Sequence, residues 1–223
     1  MASELYIVST PIGNLQDMTV RAIETLKKVD FIVCEDTRVT HTLLKHFEIS
    51  TPTLSYHHHS PHKRVQEITT LLEEGKNVAL VTDAGTPGIS DPGNQLVAHL
   101  GRQGIRITPV PGPSALVAAL SVCGFSTDRF TFFGFPPHKN KRRQFFQTVA
   151  DTEHTAAFFE SPYRIHKAIQ ELANLFESTR QICVCRELTK TFETIYRGTA
   201  AKIQEMEIPA KGEFVLVCEG KRT

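Results

Sequence analysis

Short apolar runs alternate with amphipathic segments through the first half of the chain. Four runs have the length and composition of buried strands: "LYIVST" (5–10), "FIVCE" (31–35), "NVALV" (77–81) and "IRITPV" (105–110). Apolar residues at helical spacing follow in segments that begin at Asp17, at 37–47, after Ser60-Pro61, after Asp91-Pro92 and at 111–124. Strands that alternate with helices predict a mostly parallel sheet with helices on both faces.

The second half keeps the alternation but mixes the strand directions. The pattern predicts strands at 130–135, 154–160, 181–187, 192–198 and 213–219, with helices near 140–150 and 163–176. The segment "ETIYRGT" alternates apolar and polar residues, which is typical of an antiparallel strand with one exposed face. A turn-rich stretch at 124–128 separates the halves. We therefore predict two α/β domains, 1–125 with the mostly parallel sheet and 126–223 with a mixed sheet.

Composition restricts the partners and the cellular compartment that are expected for this protein. The formal net charge of the 223 residues is +1, so contact with nucleic acid needs a local basic patch. No stretch approaches the roughly 20 apolar residues that span a bilayer. The start, "MASELYIVST", has no basic residue before its apolar run and does not resemble a signal peptide. The five cysteines are odd in number and lie mostly in apolar runs, which predicts reduced, buried thiols in a cytoplasmic protein.

Three loops rich in glycine and proline follow predicted strands: "STPIGN" (9–14), "TDAGTPGISDPG" (82–93) and "PVPGPSA" (109–115). Ligands of open α/β sheets bind beyond the carboxyl ends of the strands, and loops with few side chains let a ligand approach backbone N–H groups. Tight turns alone would explain any one of these loops, whereas three on one sheet edge favour a binding site. The loops match neither a P-loop nor a GxGxxG fingerprint, so we do not expect the ligand to be held by its phosphates.

Six segments, in this order, resemble one protein family. They are "TPIGNLQDMTVRA", "CEDTR", "TDAGTPGISDPG", "PGPSA", "RELTKTFE" and "KGEFVLV", and the resemblance runs from about residue 5 to 219. The chain is similar to the ribose methyltransferases of small-subunit ribosomal RNA, which belong to the tetrapyrrole methylase superfamily. The resemblance implies a two-domain α/β enzyme, usually a homodimer, with a cleft between the domains for S-adenosylmethionine (SAM). It also implies methylation of the 2′-hydroxyl of a cytidine in the decoding region of small-subunit (16S) rRNA.

The resemblance also implies which residues contact SAM. In the superfamily, the loop that follows the strand at 77–81 wraps the cofactor, largely through backbone groups. Two of the implied residues come from the second domain, and two begin a helix whose N–H groups would face the cofactor. Matched by position, the residues are Pro11, Asp83, Ala84, Gly85, Gly88, Ile89, Ser114, Ala115, Leu188 and Glu213.

Methyl transfer to a hydroxyl requires alignment of the acceptor oxygen and a group that takes its proton. "CEDTR" is the best local candidate, because Glu35, Asp36 and Arg38 follow a buried strand. We expect Asp36 to act as base or anchor and Arg38 to bind an RNA phosphate. The alternative is a helix cap beside an ordinary surface arginine. Further candidates for acid/base chemistry are Glu187 and Lys190 in "ELTK", and Glu160 at the end of "AAFFE".

The basic segment "HKNKRRQFF" (138–146) is the expected RNA contact. Lys139, Lys141, Arg142 and Arg143 lie within five positions, which is the electrostatic pattern of phosphate binding that weakens with salt. A solvated helix start is the alternative interpretation.

The segment "YHHHSPHK" (56–63) invites a metal interpretation. His57, His58, His59 and His62 lie close in sequence, but adjacent side chains of an extended segment point to alternate faces, so at most two share an ion. We expect a polar loop and no metal. The family typically has an acidic or amide pair where this chain has Ser60-Pro61, so no substrate role is carried over. "CVC" (183–185) lacks the CxxC spacing and is expected to be core.

Two other functions are compatible with this sequence. One is a methyltransferase of the same fold that acts on a tetrapyrrole or other small molecule, and the other is a protein that binds SAM or a nucleotide without chemistry. "HKNKRR" and "CEDTR" favour RNA, because a macrocycle site would need an apolar cavity. Members of the resembled family commonly continue past "VCEG" with a small helical segment. If that segment grips the ribosome, this chain is expected to bind RNA more weakly.

Overall fold

The structure, a computed structural model, describes residues 3–57 and 62–221. The chain divides into two units, Met1–Ser114 and Ala115–Thr223, and the described part of each contains one five-stranded sheet. The division falls before the helix Ala115–Cys123, whereas the sequence pattern placed it after that helix. The reason is packing, since Leu116, Ala119 and Leu120 are buried and the helix packs on strands of the second unit.

The sheet of the first unit is entirely parallel, which confirms the predicted strand direction. Its strands are β1 (Glu4–Val8), β2 (Phe31–Cys34), β3 (Thr53–Ser55), β4 (Val78–Leu80) and β5 (Arg106–Val110). Its helices are α1 (Val20–Lys28), α2 (Thr37–His46), α3 (His62–Glu73) and α4 (Asn94–Arg102). The order across the sheet is β3-β2-β4-β1-β5, so β1, β4 and β5 are neighbours although they are distant in sequence.

Both faces of this sheet are buried, because successive residues of a strand point to opposite sides. On one side, Ala79 of β4 shares a hydrophobic cluster with Leu26 of α1. On the other side, Leu80 packs with Leu72 of α3 and Leu100 of α4. Helices on both faces leave the strand ends as the place where loops can hold a ligand.

Two predicted helix starts are corrected by local hydrogen bonding. The N-cap of α1 is Thr19, whose Oγ1 accepts a hydrogen bond from the Ala22 N–H at 3.1 Å, while Asp17 ends a short 3-10 turn. Helix α4 begins at Asn94 with Gly93 at the cap, so Asp91 and Pro92 belong to the preceding loop. The predicted start of α3 at Ser60-Pro61 lies outside the described residues.

The second unit carries a mixed sheet, as predicted. Its helices are α5 (Ala115–Cys123), α6 (Arg142–Asp151), α7 (Ile165–Leu175) and α8 (Ala200–Gln204). Its strands are β6 (Phe130–Phe132), β7 (Thr155–Glu160), β8 (Gln181–Arg186), β9 (Thr194–Thr199) and β10 (Phe214–Cys218). The order is β6-β7-β10-β8-β9; β6 and β7 are parallel, and β10 is antiparallel to β7 and β8. Strand β9 is antiparallel to β8, which confirms the prediction for "ETIYRGT".

The cysteines are free and buried, as the sequence predicted. Cys183 and Cys185 point to the same side of β8, with their Sγ atoms 3.7 Å apart, and both are fully buried. Of the described helices, none has the length and apolar character needed to cross a membrane. Within 3–57 and 62–221, His, Cys, Asp and Glu side chains form no group of three able to hold a metal ion; His58 and His59 lie outside these ranges.

Candidate active site

The three loops rich in glycine and proline meet at the carboxyl edge of the first sheet. Thr10, after β1, exchanges backbone hydrogen bonds with Gly85, after β4, at N–O distances of 2.9 and 3.0 Å. The Thr86 hydroxyl shares a 2.8 Å hydrogen bond with the Ser9 hydroxyl and donates to the Pro113 carbonyl at 3.3 Å. These contacts tie the loops after β1, β4 and β5 into one cluster, as the sequence predicted from their positions.

The loop 82–93 adopts backbone conformations that explain its composition. Gly88 and Gly93 have φ angles of +83° and +141°, which residues with a Cβ rarely adopt. A Cβ on Gly93 would lie 2.9 Å from Cδ2 of Leu80, and one on Gly88 would lie 2.4 Å from Oδ1 of Asn94. Asn94 also donates to the Gly88 carbonyl at 3.0 Å. The glycines therefore let the loop fold back tightly onto β4 and the start of α4.

Seven of the ten residues that the resemblance implies as SAM contacts lie on these three loops of the first unit, whereas Ala115, Leu188 and Glu213 belong to the second unit. Pro11 and Gly85 are buried and lie beside the Thr10–Gly85 bridge, whereas Asp83 and Ile89 are exposed. Ala84, Gly88 and Ser114 are half-buried on the loops themselves, and Ala115 is the first residue of α5.

Asp36 caps helix α2 and binds the neighbouring arginine. Its Oδ1 accepts from the Arg38 N–H at 2.8 Å and from Nε at 3.0 Å, while Oδ2 accepts from Nη2 at 2.6 Å. These side-chain and backbone hydrogen bonds from Arg38 lower the pKa of Asp36 to about 2. The carboxylate therefore stays charged at neutral pH and is a weak proton acceptor, which makes it better suited to holding Arg38 than to acting as a base.

Asp91 is the acidic group that sequence reasoning missed. It lies half-buried in the loop before α4, and its pKa is raised to about 6 by burial and by the carboxylates of Glu35 and Asp83. Asp83 is in turn tied to the start of α2, because its Oδ1 accepts from the N–H of the N-cap residue Asp36 at 3.1 Å. The sequence showed Asp91 only as part of a helix-start signal. Of its carboxylate neighbours, Asp83 lies at the other end of the same loop and Glu35 follows β2, so their approach depends on how the loop folds back, which local sequence does not reveal.

In the second unit, the residues of "RELTK" form an ion-paired turn. Lys190 Nζ lies 3.0 Å from Glu187 Oε1 and 3.0 Å from Glu213 Oε2. Glu187 and Thr189, on either side of Leu188, have φ angles of +53° and +67°. Both non-glycine residues therefore adopt the left-handed conformation. Burial lowers the pKa of Lys190, but its hydrogen bonds to both carboxylates outweigh burial and raise it. Lys190 therefore remains charged and holds the turn together.

The basic segment divides into exposed and buried members. Lys139, Lys141 and Arg143 are exposed and line an open depression of 620 Å³. Arg142 is 4% exposed, and its guanidinium binds the carboxylates of Glu160 and Glu171. A buried, doubly paired guanidinium is not available to a phosphate, so we remove Arg142 from the predicted RNA contacts.

The predicted residues thus form three groups, each within one unit. The first unit holds the loop cluster with its carboxylates, and the second unit holds the "RELTK" turn and, separately, the basic segment.

An α/β fold with glycine-rich loops gathered at a sheet edge is the framework of a cofactor-dependent enzyme. The chain belongs to the Tetrapyrrole (Corrin/Porphyrin) Methylases, whose family model matches residues 4–204. Its fold is similar to the solved structure of a cobalamin biosynthetic enzyme, cobalt precorrin-4 methyltransferase. The TM-score is 0.69 and the identity 21%, over 96% of this chain and 94% of that one. At this identity the likeness shows the fold alone.

Closer relatives carry the name Ribosomal RNA small subunit methyltransferase I. The protein of Synechocystis sp. is 50% identical over 219 residues, which cover 97% of this chain and 78% of the relative. The protein of Thermotoga maritima is 42% identical over 220 residues, covering 98% of this chain and 99% of the relative. The similarity therefore extends over both units.

Proposed function

We propose that this chain is a SAM-dependent methyltransferase that modifies the ribose 2′-hydroxyl of a cytidine in the decoding region of 16S rRNA. The observation that carries the proposal is the 42–50% identity, over nearly the whole chain, to proteins named as methyltransferases of small-subunit ribosomal RNA. Two of the six motifs that carry the resemblance, "CEDTR" and "TDAGTPGISDPG", lie together at the carboxyl edge of the first sheet.

The charge of the loop cluster supports SAM as its ligand. Bound SAM supplies a methyl group on a positively charged sulfur and carries an ammonium group. Gly88 is half-buried and carries no side chain that would cover the loop backbone. Asp83, Asp91 and Glu35 place negative charge around the same loop, which favours a cationic ligand.

The chain's own residues have two tasks in the proposed reaction. The first is to align the ribose oxygen, for which Arg38 is suited because Asp36 orients its exposed guanidinium toward a fixed position. The second is to accept the proton that the hydroxyl loses. We assign this task to Asp91, which lies on the proposed cofactor loop and has a pKa closer to neutrality than that of Asp36.

The loop cluster can be tested without RNA. Thr86→Val removes the hydroxyl that joins Ser9 and Pro113, and we expect it to weaken SAM binding about 5- to 30-fold, since one or two lost hydrogen bonds loosen the cluster by about 1–2 kcal/mol. Titration calorimetry with SAM measures this. The matched control is Thr70→Val, which removes a comparable hydroxyl bonded to the Gln66 carbonyl within α3. Equal affinities of the two variants would contradict the assigned role.

The decisive experiment supplies labelled SAM and unmethylated small ribosomal subunits, then digests the RNA and separates its nucleosides. Label in 2′-O-methylcytidine is the expected result. Label in another nucleoside would change the target, and the absence of label despite SAM binding would contradict the proposal and favour a small-molecule acceptor.

We also propose that the active form is a cytoplasmic homodimer, as the resemblance implies. Sedimentation equilibrium of the purified chain tests the oligomeric state, with a mass near twice 24.9 kDa expected. A monomer at concentrations that support full activity would exclude an obligate dimer.

A further inference from the structure

Two loops of the second unit are tied together beyond the carboxyl end of β7. The loop after β6 contains Phe135, Pro136 and Pro137, and the turn after β7 is "SPYR" (161–164). The Phe159 N–H donates to the Gly134 carbonyl at 2.9 Å, and the Arg164 Nη1 donates to the Pro136 carbonyl at 3.3 Å. The two loops therefore form one continuous surface region.

A buried carboxylate fixes both loops. The Glu160 side chain is fully buried and binds Arg164 Nη2 at 2.8 Å, Arg142 Nη1 at 3.1 Å and the Ser161 N–H at 2.7 Å. The same Arg142 Nη1 reaches the Pro137 carbonyl at 3.5 Å. The two arginines thus connect the Glu160 carboxylate to the loop after β6. In this way they hold that loop against the turn after β7.

The two loops held by this buried network expose aromatic rings to solvent. Tyr163 is 94% exposed and Phe135 is 52% exposed, with the Phe135 ring packed on Phe159 at a centroid distance of 5.4 Å. Single exposed apolar residues are ordinary, but these two project from loops that the same buried network secures. The exposed cations Lys139, Lys141 and Arg143 follow in the next residues of the chain. We call Phe135, Tyr163, Lys139, Lys141 and Arg143 together the aromatic–basic surface.

We propose that the aromatic–basic surface binds unpaired nucleotides of small-subunit rRNA, with Tyr163 and Phe135 stacking on bases and the three cations contacting phosphates. This inference depends on the proposed function for the choice of RNA. Flat exposed rings, together with several exposed cations close to Phe135 in sequence, match a single strand, whose bases offer open faces and whose backbone carries a charge at every nucleotide. A duplex hides the base faces, and an acidic protein surface would use the cations but leave the rings without a partner.

The proposal also gives Glu160 and Arg142 a positioning role in place of the roles predicted from the sequence. Neither is available to touch RNA, because both side chains are buried. They hold the backbone from which the stacking and phosphate-binding residues project.

The test uses an unpaired RNA of about 12 nucleotides, within the length that such surfaces cover. It carries 2-aminopurine, whose fluorescence falls when a ring stacks on it, and the same strand annealed to its complement serves as the duplex. We expect the wild type to bind the unpaired strand, quench its fluorescence and bind the duplex more weakly. Tyr163→Ala is expected to bind the unpaired strand about 5- to 100-fold more weakly and to quench it less, because only Phe135 remains to stack, whereas Tyr163→Phe, which keeps the ring, should match the wild type.

The salt dependence of RNA affinity distinguishes the contribution of the cations from that of the aromatic rings. Lys139→Ala should reduce the slope of log affinity against log salt by about one, whereas the exposed Lys202→Ala in α8 should leave it unchanged. Wild-type affinity of Tyr163→Ala, or equal binding of duplex and single strand, would overturn the inference. Because Tyr163 is almost fully exposed, its alanine variant is expected to fold normally, and thermal unfolding checks this.

The methylation assay on small subunits keeps the two proposals apart. If the wild type methylates rRNA while Tyr163→Ala binds RNA normally, only the aromatic–basic surface is wrong. If the wild type neither methylates nor binds small-subunit RNA, the proposed function itself fails.

Discussion

Asp91→Asn is expected to slow methyl transfer by about 10²- to 10⁴-fold, the usual cost of losing a positioned proton acceptor. Asparagine has nearly the shape of the carboxyl group but cannot take a proton from the ribose hydroxyl. Transfer by the wild type should rise as the pH passes through about 6, where Asp91 loses its own proton, and this rise should be absent in the variant. Initial rates with labelled SAM from pH 5 to 8 measure both effects.

The same substitution is expected to stabilise the fold. Burial, Glu35 and Asp83 raise the pKa of Asp91 from 3.8 to about 6, so the folded state binds this proton more tightly than the unfolded state. The wild type is therefore stabilised when the group is protonated and loses that stability as the pH rises from about 4 through 6. Above pH 6, the free energy of unfolding of Asp91→Asn should exceed that of the wild type by about 1 kcal/mol after allowance for solvent screening, and this difference should shrink toward pH 4. Denaturant unfolding at several pH values measures it.

Two results would remove Asp91 from the mechanism. One is turnover equal to the wild type, and the other is a loss of activity fully explained by weaker SAM binding in calorimetry. Glu73→Gln, an exposed position at the end of α3, is the control and should leave methyl-transfer activity unchanged.

Glu160→Ala is expected to lower the free energy of unfolding by about 3–5 kcal/mol, because it removes the buried carboxylate that pairs with both Arg142 and Arg164. Glu160 binds Arg142, which is buried, and Arg164, which is mostly buried. Denaturant unfolding measures the loss, and it should change little with salt because the pairs are shielded from ions.

Paired variants separate charge from shape at this position. Glu160→Gln keeps the side-chain length and one acceptor, so we expect a smaller loss than for alanine. Glu207→Ala, at an exposed position, should change stability by less than about 0.5 kcal/mol. If Glu160→Ala costs no more than Glu207→Ala, the carboxylate does not hold the two loops, and the positioning role inferred for it is wrong.

The sequence pattern predicted the elements well wherever burial follows a simple period. The strand "NVALV" and the segment "ETIYRGT" were assigned correctly, because alternation or continuous apolarity reflects how many faces a strand buries. The pattern missed β3 and α8, which have three and five residues and are too short for a period to show. It also placed the start of α1 at Asp17 instead of Thr19, since both residues are good caps and only the backbone hydrogen bond distinguishes them.

The sequence predicted which loops form the candidate site, but not which of its charged side chains are buried or paired. The three loops were identified from glycine and proline content and from their position after strands, because a parallel sheet brings such loops to one edge. The state of each charged side chain depends on partners distant in sequence. In the sequence Arg142 resembled its basic neighbours, yet it is buried and forms ion pairs with Glu160 and Glu171. Asp91 resembled a helix start in the sequence, yet burial, together with Glu35 and Asp83, raises its pKa.

By itself the sequence determined the α/β class, the parallel and mixed sheets and the loop cluster, because these follow from local periodicity and local backbone freedom. Only the tertiary structure decided which charged groups are buried, paired or exposed. Arg142 became a buried partner of Glu160 and Glu171, Lys190 a bridge from Glu187 to Glu213, and Tyr163 an exposed ring on a fixed turn. The physical reason is that charge and exposure depend on distances across the fold, and residues that are far apart along the chain set those distances.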